Sequence, residues 1–195
     1  MLSTMFDAPA PVRSAEDRFL LLQQHADTLG FSGLHYAVFT RRGDPTSSYR
    51  VIFSTLPSAY QDAYDAAGFL ADDPIPRRAV SQFTPFGWYD CPEFRAAWNH
   101  RRGRKPLARQ ILDLAAAFGF YDGTVVPTHA TARDGRYQIG VIGLYGDRAA
   151  PALPDWFRFQ CQMLHEQTVA AEDADGVSPS PWVLPDRARQ CLQWA

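Results

Sequence analysis

Residues 123–145 read GTVVPTHATARDGRYQIGVIGLY. Two β-forming runs, 123–128 and 137–145, flank the turn Arg133-Asp134-Gly135, and Asp-Gly between such runs is a strong hairpin signal. Strands joined this way run antiparallel. A second pair precedes it, with 34–41 and 49–54 rich in aromatic and β-branched residues around Gly43-Asp44-Pro45 and Thr46, Ser47 and Ser48. Outside the hairpins the pattern is helical. Ser14 and Asp17 open a helix that places Phe19, Leu22, Ala26 and Leu29 on one face before Gly30. Further helices are expected over 57–67, from Asp73-Pro74 to Gln82, over 92–102 and 106–118, and over 153–172. Strands in hairpin pairs, without βα alternation, predict an α+β domain whose antiparallel sheet is covered by helices.

At 195 residues and 21.9 kDa the chain fits one well-buried domain. Residues 1–13 read as a disordered tail and 14–172 as the body. A polar segment with Gly, Ser and Pro, 173–183, reads as a linker, and 184–195 begins something new. The net charge of −2 declares no nucleic-acid-seeking surface. The basic run Arg101-Arg102-Gly103-Arg104-Lys105 reads as a solvated face. Three separated cysteines, 91, 161 and 191, make neither a disulfide framework nor a zinc site, which fits a cytoplasmic chain. No apolar run approaches the roughly 20 residues that span a bilayer, and 1–12 lacks the layout of a signal peptide.

Enzyme signatures are missing: there is no GxSxG, no HExxH and no glycine-rich phosphate loop, and the five histidines are scattered. No metal site, cofactor or catalytic residue is therefore expected. Cys91, ahead of Pro92, reads as a helix-start residue rather than a nucleophile. Aromatics at 13% belong either to the core or to a lined cavity. They concentrate around one carboxylate: Leu56-Pro57, Tyr60, Tyr64, Gly68-Phe69, Asp73-Pro74-Ile75 and Pro85-Phe86-Gly87-Trp88. Asp73 before Pro74 is a common helix N-cap. The same carboxylate facing an aromatic cavity would accept a hydrogen bond from the amide of an apolar ligand. Both roles are compatible.

These residues resemble the autoinducer-binding domain of LuxR-type quorum-sensing regulators. The resemblance rests on Tyr60 where the family has Trp, on Tyr64, on Asp73-Pro74, on Phe86-Gly87-Trp88, and on Gly119-Phe120-Tyr121-Asp122-Gly123 followed by Pro127 and His129. Leu29-Gly30-Phe31 matches the family's exit from its first helix. The tail, with Leu184, Arg187, Arg189, Cys191, Leu192, Trp194 and Ala195, resembles the opening of the family's C-terminal helix-turn-helix domain, here expected to be truncated.

The resemblance implies an α-β-α sandwich with a central five-stranded antiparallel sheet. It also implies an N-acyl-homoserine lactone or analogue bound between sheet and helices, without a cofactor. Asp73 would accept the ligand's amide N–H, Tyr64 and Trp88 would line the pocket, and Ile75 would lie beside the acyl head. Three positions depart from the family. Tyr60 replaces a Trp that donates to the lactone carbonyl, Leu56 replaces a common Tyr donor, and Gly143 stands where Ser or Thr often reaches the ligand. A buried ligand acceptor left without a donor costs about 1–3 kcal/mol, so the pocket is expected to be kept but retuned. The resemblance further implies a cytoplasmic homodimer that meets DNA only through the C-terminal domain. The alternative role is a truncated member that pairs with a full-length regulator as an antagonist. An enzyme acting on lactones or amides is the third possibility, and no nucleophile-base pair supports it.

Overall fold

A computed structural model of the chain describes residues 15–41, 47–100, 103–147 and 152–175. The expected tail, most of the expected linker and the helix-turn-helix start lie outside the described residues, as do Arg101 and Arg102. In chain order the elements are α1 (Ala15–Thr28), β1 (Gly33–Arg41), β2 (Ser47–Ser54), α2 (Ser58–Ala66), α3 (Pro74–Ser81), β3 (Phe86–Gly87), α4 (Pro92–Trp98), α5 (Leu107–Ala117), β4 (Asp122–Thr131), β5 (Tyr137–Gly146) and α6 (Asp155–Asp175). Short 3-10 turns at Phe69–Ala71 and Trp88–Asp90 precede α3 and α4.

The five strands form one antiparallel sheet in the order β2-β1-β5-β4-β3. Both expected hairpins are present, and β5 of the second hairpin pairs with β1 of the first. Strand alternation sends successive side chains to opposite faces. Leu34, Tyr36 and Val38 of β1, with Ile142 and Leu144 of β5, pack against Phe19, Leu22 and Ala26 of α1 and Phe157, Cys161 and Leu164 of α6. The other face carries Phe39, Val125, Ile139 and Val141 and is covered by Leu56, Tyr60, Phe69, Trp88, Phe94 and Ile111. The result is an α-β-α sandwich with a separate core on each side of the sheet.

Several boundaries differ from expectation for physical reasons. The fifth strand, β3, has two residues, too few for any period-two pattern. β4 continues through Pro127 to Thr131 because β3 pairs only with Val125 and Thr124. Beyond them β4 is an edge, where a residue without an N–H is tolerated. α4 stops at Trp98, and the His100 N–H donates to the Ala97 carbonyl. α1 and α5 end alike: Gly30 and Gly119 take φ of 91° and 85°. The next N–H, of Phe31 or Phe120, reaches back to Ala26 or Ala115, which is the left-handed glycine stop expected for a helix.

α6 docks on the sheet partly through polar contacts. Tyr36 Oη donates to His165 Nδ1 at 2.8 Å, and His165 Nε2 donates to the Gln138 carbonyl at 3.2 Å. Burial holds the imidazole down at about 4, so it stays neutral with one nitrogen accepting and one donating. Gly140 makes the room, since a Cβ there would collide with Thr128 Oγ1 and lie 2.8 Å from His165 Nδ1. On α6, Trp156 and Phe159 point away from the sheet, 49% and 65% exposed, while Phe157 is fully buried.

Candidate ligand-binding site

The loop after β2 brings Leu56 under the sheet and α2 follows, with Tyr60 and Tyr64 four residues apart on its inner face. Gly68, at φ 65°, turns the chain into the 3-10 turn that delivers Asp73. Asp73 caps α3 with Pro74 behind it, and its Oδ1 accepts from the Ile75 N–H at 2.8 Å. The second oxygen, Oδ2, accepts from Tyr64 Oη at 2.6 Å. The capping role and an inward-facing carboxylate therefore coexist. Each carboxylate oxygen has two lone pairs, so the group retains acceptor capacity for a further N–H.

Leu56, Tyr60, Tyr64, Asp73, Ile75, Trp88 and Gly143 all line one cavity of about 90 Å³ between the sheet and α2 to α5. Its floor is the sheet, with His35 and Ala37 from β1, Tyr49 and Val51 from β2, and Val141 and Tyr145 from β5. Its roof includes Gln61 and Asp65 of α2. The lining is mostly apolar with a few converging polar groups, the usual make-up of a small-molecule site.

Asp73 is 7% exposed. Burial pushes its carboxyl up to about 6, against the opposing pull of the Tyr64 hydroxyl, the Ile75 N–H and Arg77. Burial also raises the phenols of Tyr60, Tyr64 and Tyr145, and the neighbouring Asp73 adds to each shift. All three remain protonated donors. Tyr60 meets Phe118 and Phe120 edge-on, with centroids 5.5 and 5.9 Å away, and Tyr145 meets Trp88 edge-on at 5.2 Å.

Three polar residues of the floor escaped the sequence reading. His35 Nδ1 lies 3.1 Å from Ser54 Oγ and its Nε2 lies 3.1 Å from Tyr49 Oη, while burial lowers the imidazole to about 4. Tyr145 is the third. Strand parity could have found it, because it stands two residues from Gly143 and so shares its face. Cys91 is 1% exposed and burial pushes its thiol up to about 12, the opposite of an activated nucleophile. Among the described residues no group of three or more His, Cys, Asp or Glu could hold a metal ion. No helix among them is long and apolar enough to cross a membrane. Lys105 and Arg109 both pair with Asp113, so Lys105 of the basic run is tied into α5.

The sequence profile of the Autoinducer binding domain matches residues 14–170. The chain belongs to the autoinducer-binding domain family of LuxR-type regulators. It is 33% identical over 139 residues to RpaR of Rhodopseudomonas palustris, an HTH-type quorum sensing-dependent transcriptional regulator. That match covers 71% of this chain and 52% of RpaR, so the chain spans about half the length of that relative. Two solved structures share the fold. CepR2 from Burkholderia cenocepacia, described as an N-acylhomoserine lactone dependent LuxR family transcription factor, has a TM-score of 0.55 at 22% identity, covering 86% of this chain and 90% of CepR2. Escherichia coli SdiA has a TM-score of 0.59 at 18% identity, covering 87% of this chain and 67% of SdiA. An autoinducer-binding domain is a signal-binding module and not an enzyme.

Proposed function

We propose that this autoinducer-binding domain takes an N-acyl-homoserine lactone or a closely related acyl amide in the cavity between its sheet and α2 to α5. The observation that carries this reading is Asp73: a buried carboxylate, held by its own helix and by Tyr64, in a mostly apolar cavity. Asp73 accepts the ligand's amide N–H. Tyr60 donates to the head-group carbonyl, Trp88 and Tyr64 wall the head with Ile75 beside it, and Leu56 and the apolar part of the floor receive the chain. Each methylene buried contributes about 0.8 kcal/mol, so the chain offsets a weakened polar set. Pockets that bury such ligands run to roughly 300–1,000 Å³, so the side chains around the 90 Å³ cavity yield as the ligand enters.

The domain works in the cytoplasm as a homodimer, and occupancy of the cavity controls DNA binding by a C-terminal helix-turn-helix domain. The apolar Trp156 and Phe159 on α6, both exposed, favour pairing through that face. The antagonist role uses the same face, and the reading frame beyond the codon of Ala195 tells the two apart.

Thermal-shift measurements across N-acyl-homoserine lactones of increasing chain length test the reading. A rise in melting temperature that grows with chain length is expected. No shift with any of them, and no acyl amide co-purifying by mass spectrometry, would contradict it.

A further inference from the structure

Tyr145 occupies a position cleared of side chains on every side. Its register partners are Gly33 on β1 and Gly123 on β4, and directly opposed residues share a face. Its neighbour two positions back on β5, on that face too, is Gly143. Each glycine is under a different ring or chain. A Cβ on Gly33 would lie 2.8 Å from Leu56 Cδ2 and 3.4 Å from Tyr145 Cβ, and one on Gly123 would collide with the Trp88 indole. One on Gly143 would meet Tyr145 itself, 3.0 Å from Cε2 and 3.6 Å from the hydroxyl. The phenol therefore lies down along its own strand over Gly143, with its hydroxyl end above the bare backbone.

Its surroundings hold it there. Trp88 and Phe120 stand edge-on to the ring with centroids 5.2 and 5.3 Å away, and Tyr60 stands at 6.2 Å. Tyr60, Tyr145 and Asp73 line the same cavity. Tyr145 thus lines the cavity from the floor and Asp73 lines it from the roof. A trans amide points its N–H and its C=O in opposite directions. A ligand amide that donates to Asp73 on the roof turns its carbonyl toward the floor, where Gly143 carries no donor and Leu56, nearby, carries none either.

We propose that Tyr145 is a specificity-determining residue of the site, whose hydroxyl donates to the acyl-amide carbonyl of the ligand from above Gly143. This rests on the reading of the cavity as an acyl-amide site. The site thereby favours ligands with an amide carbonyl over those without one. Gly33, Gly123 and Gly143 serve that placement, since a side chain at any of them would compete for the ring or its supports.

The test uses N-octanoyl-homoserine lactone labelled with 13C at the acyl carbonyl, read by calorimetry and by isotope-edited infrared spectroscopy on the full chain. Tyr145→Phe keeps the ring and removes the donor. Its affinity should fall by about tenfold, the equivalent of roughly 1.4 kcal/mol for a lost hydrogen bond, and the bound carbonyl band should move to higher wavenumber. Gly143→Ala, which keeps the hydroxyl but displaces the ring that carries it, should weaken binding and shift the band in the same direction, and it serves also if Tyr145→Phe fails to fold. Binding by wild type with an unchanged affinity and band in a folded variant would overturn the role of Tyr145 and leave the cavity's function standing. No binding by wild type, with this lactone or with hexanoyl and dodecanoyl analogues, would overturn both.

Discussion

The Tyr64 hydroxyl and the Asp73 carboxylate are joined at 2.6 Å, nine residues apart in sequence and on two different elements. The bond ties α2 to the start of α3 and fixes which way the carboxylate faces. Removing the hydroxyl in Tyr64→Phe leaves Oδ2 buried with one donor fewer, at a cost of about 1–3 kcal/mol. A melting temperature lower by several degrees is expected. Because that hydroxyl holds the carboxyl down, its loss should also move the Asp73 titration, followed by carboxyl-carbon NMR, above about 6.

The pH dependence of stability should show opposing contributions. Asp73 titrates near 6 in the fold against about 3.9 unfolded, so the native state binds more protons between those values and this group favours folding as pH falls through them. His35 and His165 are lowered to about 4 from about 6.5. Their contribution is present above about pH 6.5 and is lost as pH falls toward 4. Asp73→Asn removes the compensating group and should make the loss of stability between about pH 6 and 4 steeper than in wild type. Chemical denaturation across that range measures the slopes, and an equal or shallower slope in the variant would contradict the assignment.

Ligand affinity should follow the same carboxyl. An ionised Asp73 accepts the amide N–H more strongly than a protonated one, and Tyr49, Tyr60, Tyr64 and Tyr145 around it keep their protons throughout the range. Affinity is therefore expected to be flat above about pH 7 and to decline below about 6. Titration calorimetry at several pH values checks this.

The two faces of α6 should respond oppositely to truncation. Phe157 is fully buried, and Phe157→Ala should cost about 3–5 kcal/mol. Phe159, 65% exposed, should leave the melting temperature of a dilute sample nearly unchanged when replaced by Ser. The same variant should shift a homodimer toward monomer in analytical ultracentrifugation.

The hairpins, and with them the fold class, were legible in local pattern because a turn such as Arg133-Asp134-Gly135 and the runs beside it lie within a few residues of one another. β3 was not, because a two-residue strand exists only by virtue of its pairing with Val125 and Thr124. The site was legible along the Leu56 to Trp88 segment, where one continuous run carries most of the roof. Its floor was harder: His35, Tyr49 and Tyr145 lie on separate strands, and only the pairing of β1 with β2 and β5 brings them under the roof. Strand periodicity assigns such residues to a face without saying that a cavity covers it. On α6 the sequence alone does not say that Phe157 meets the sheet while Trp156 and Phe159 meet solvent.

The central claim is that Asp73 holds the amide of an acyl signal, and calorimetric titration of wild type and Asp73→Asn with N-octanoyl-homoserine lactone at about pH 7.5, above the carboxyl's titration, tests it most directly. The account predicts saturable binding by wild type and a loss of about 10- to 150-fold in the variant, the worth of a hydrogen bond to a charged group, with the unliganded variant still folded. Equal affinity of the two proteins, or no binding by wild type, would contradict it.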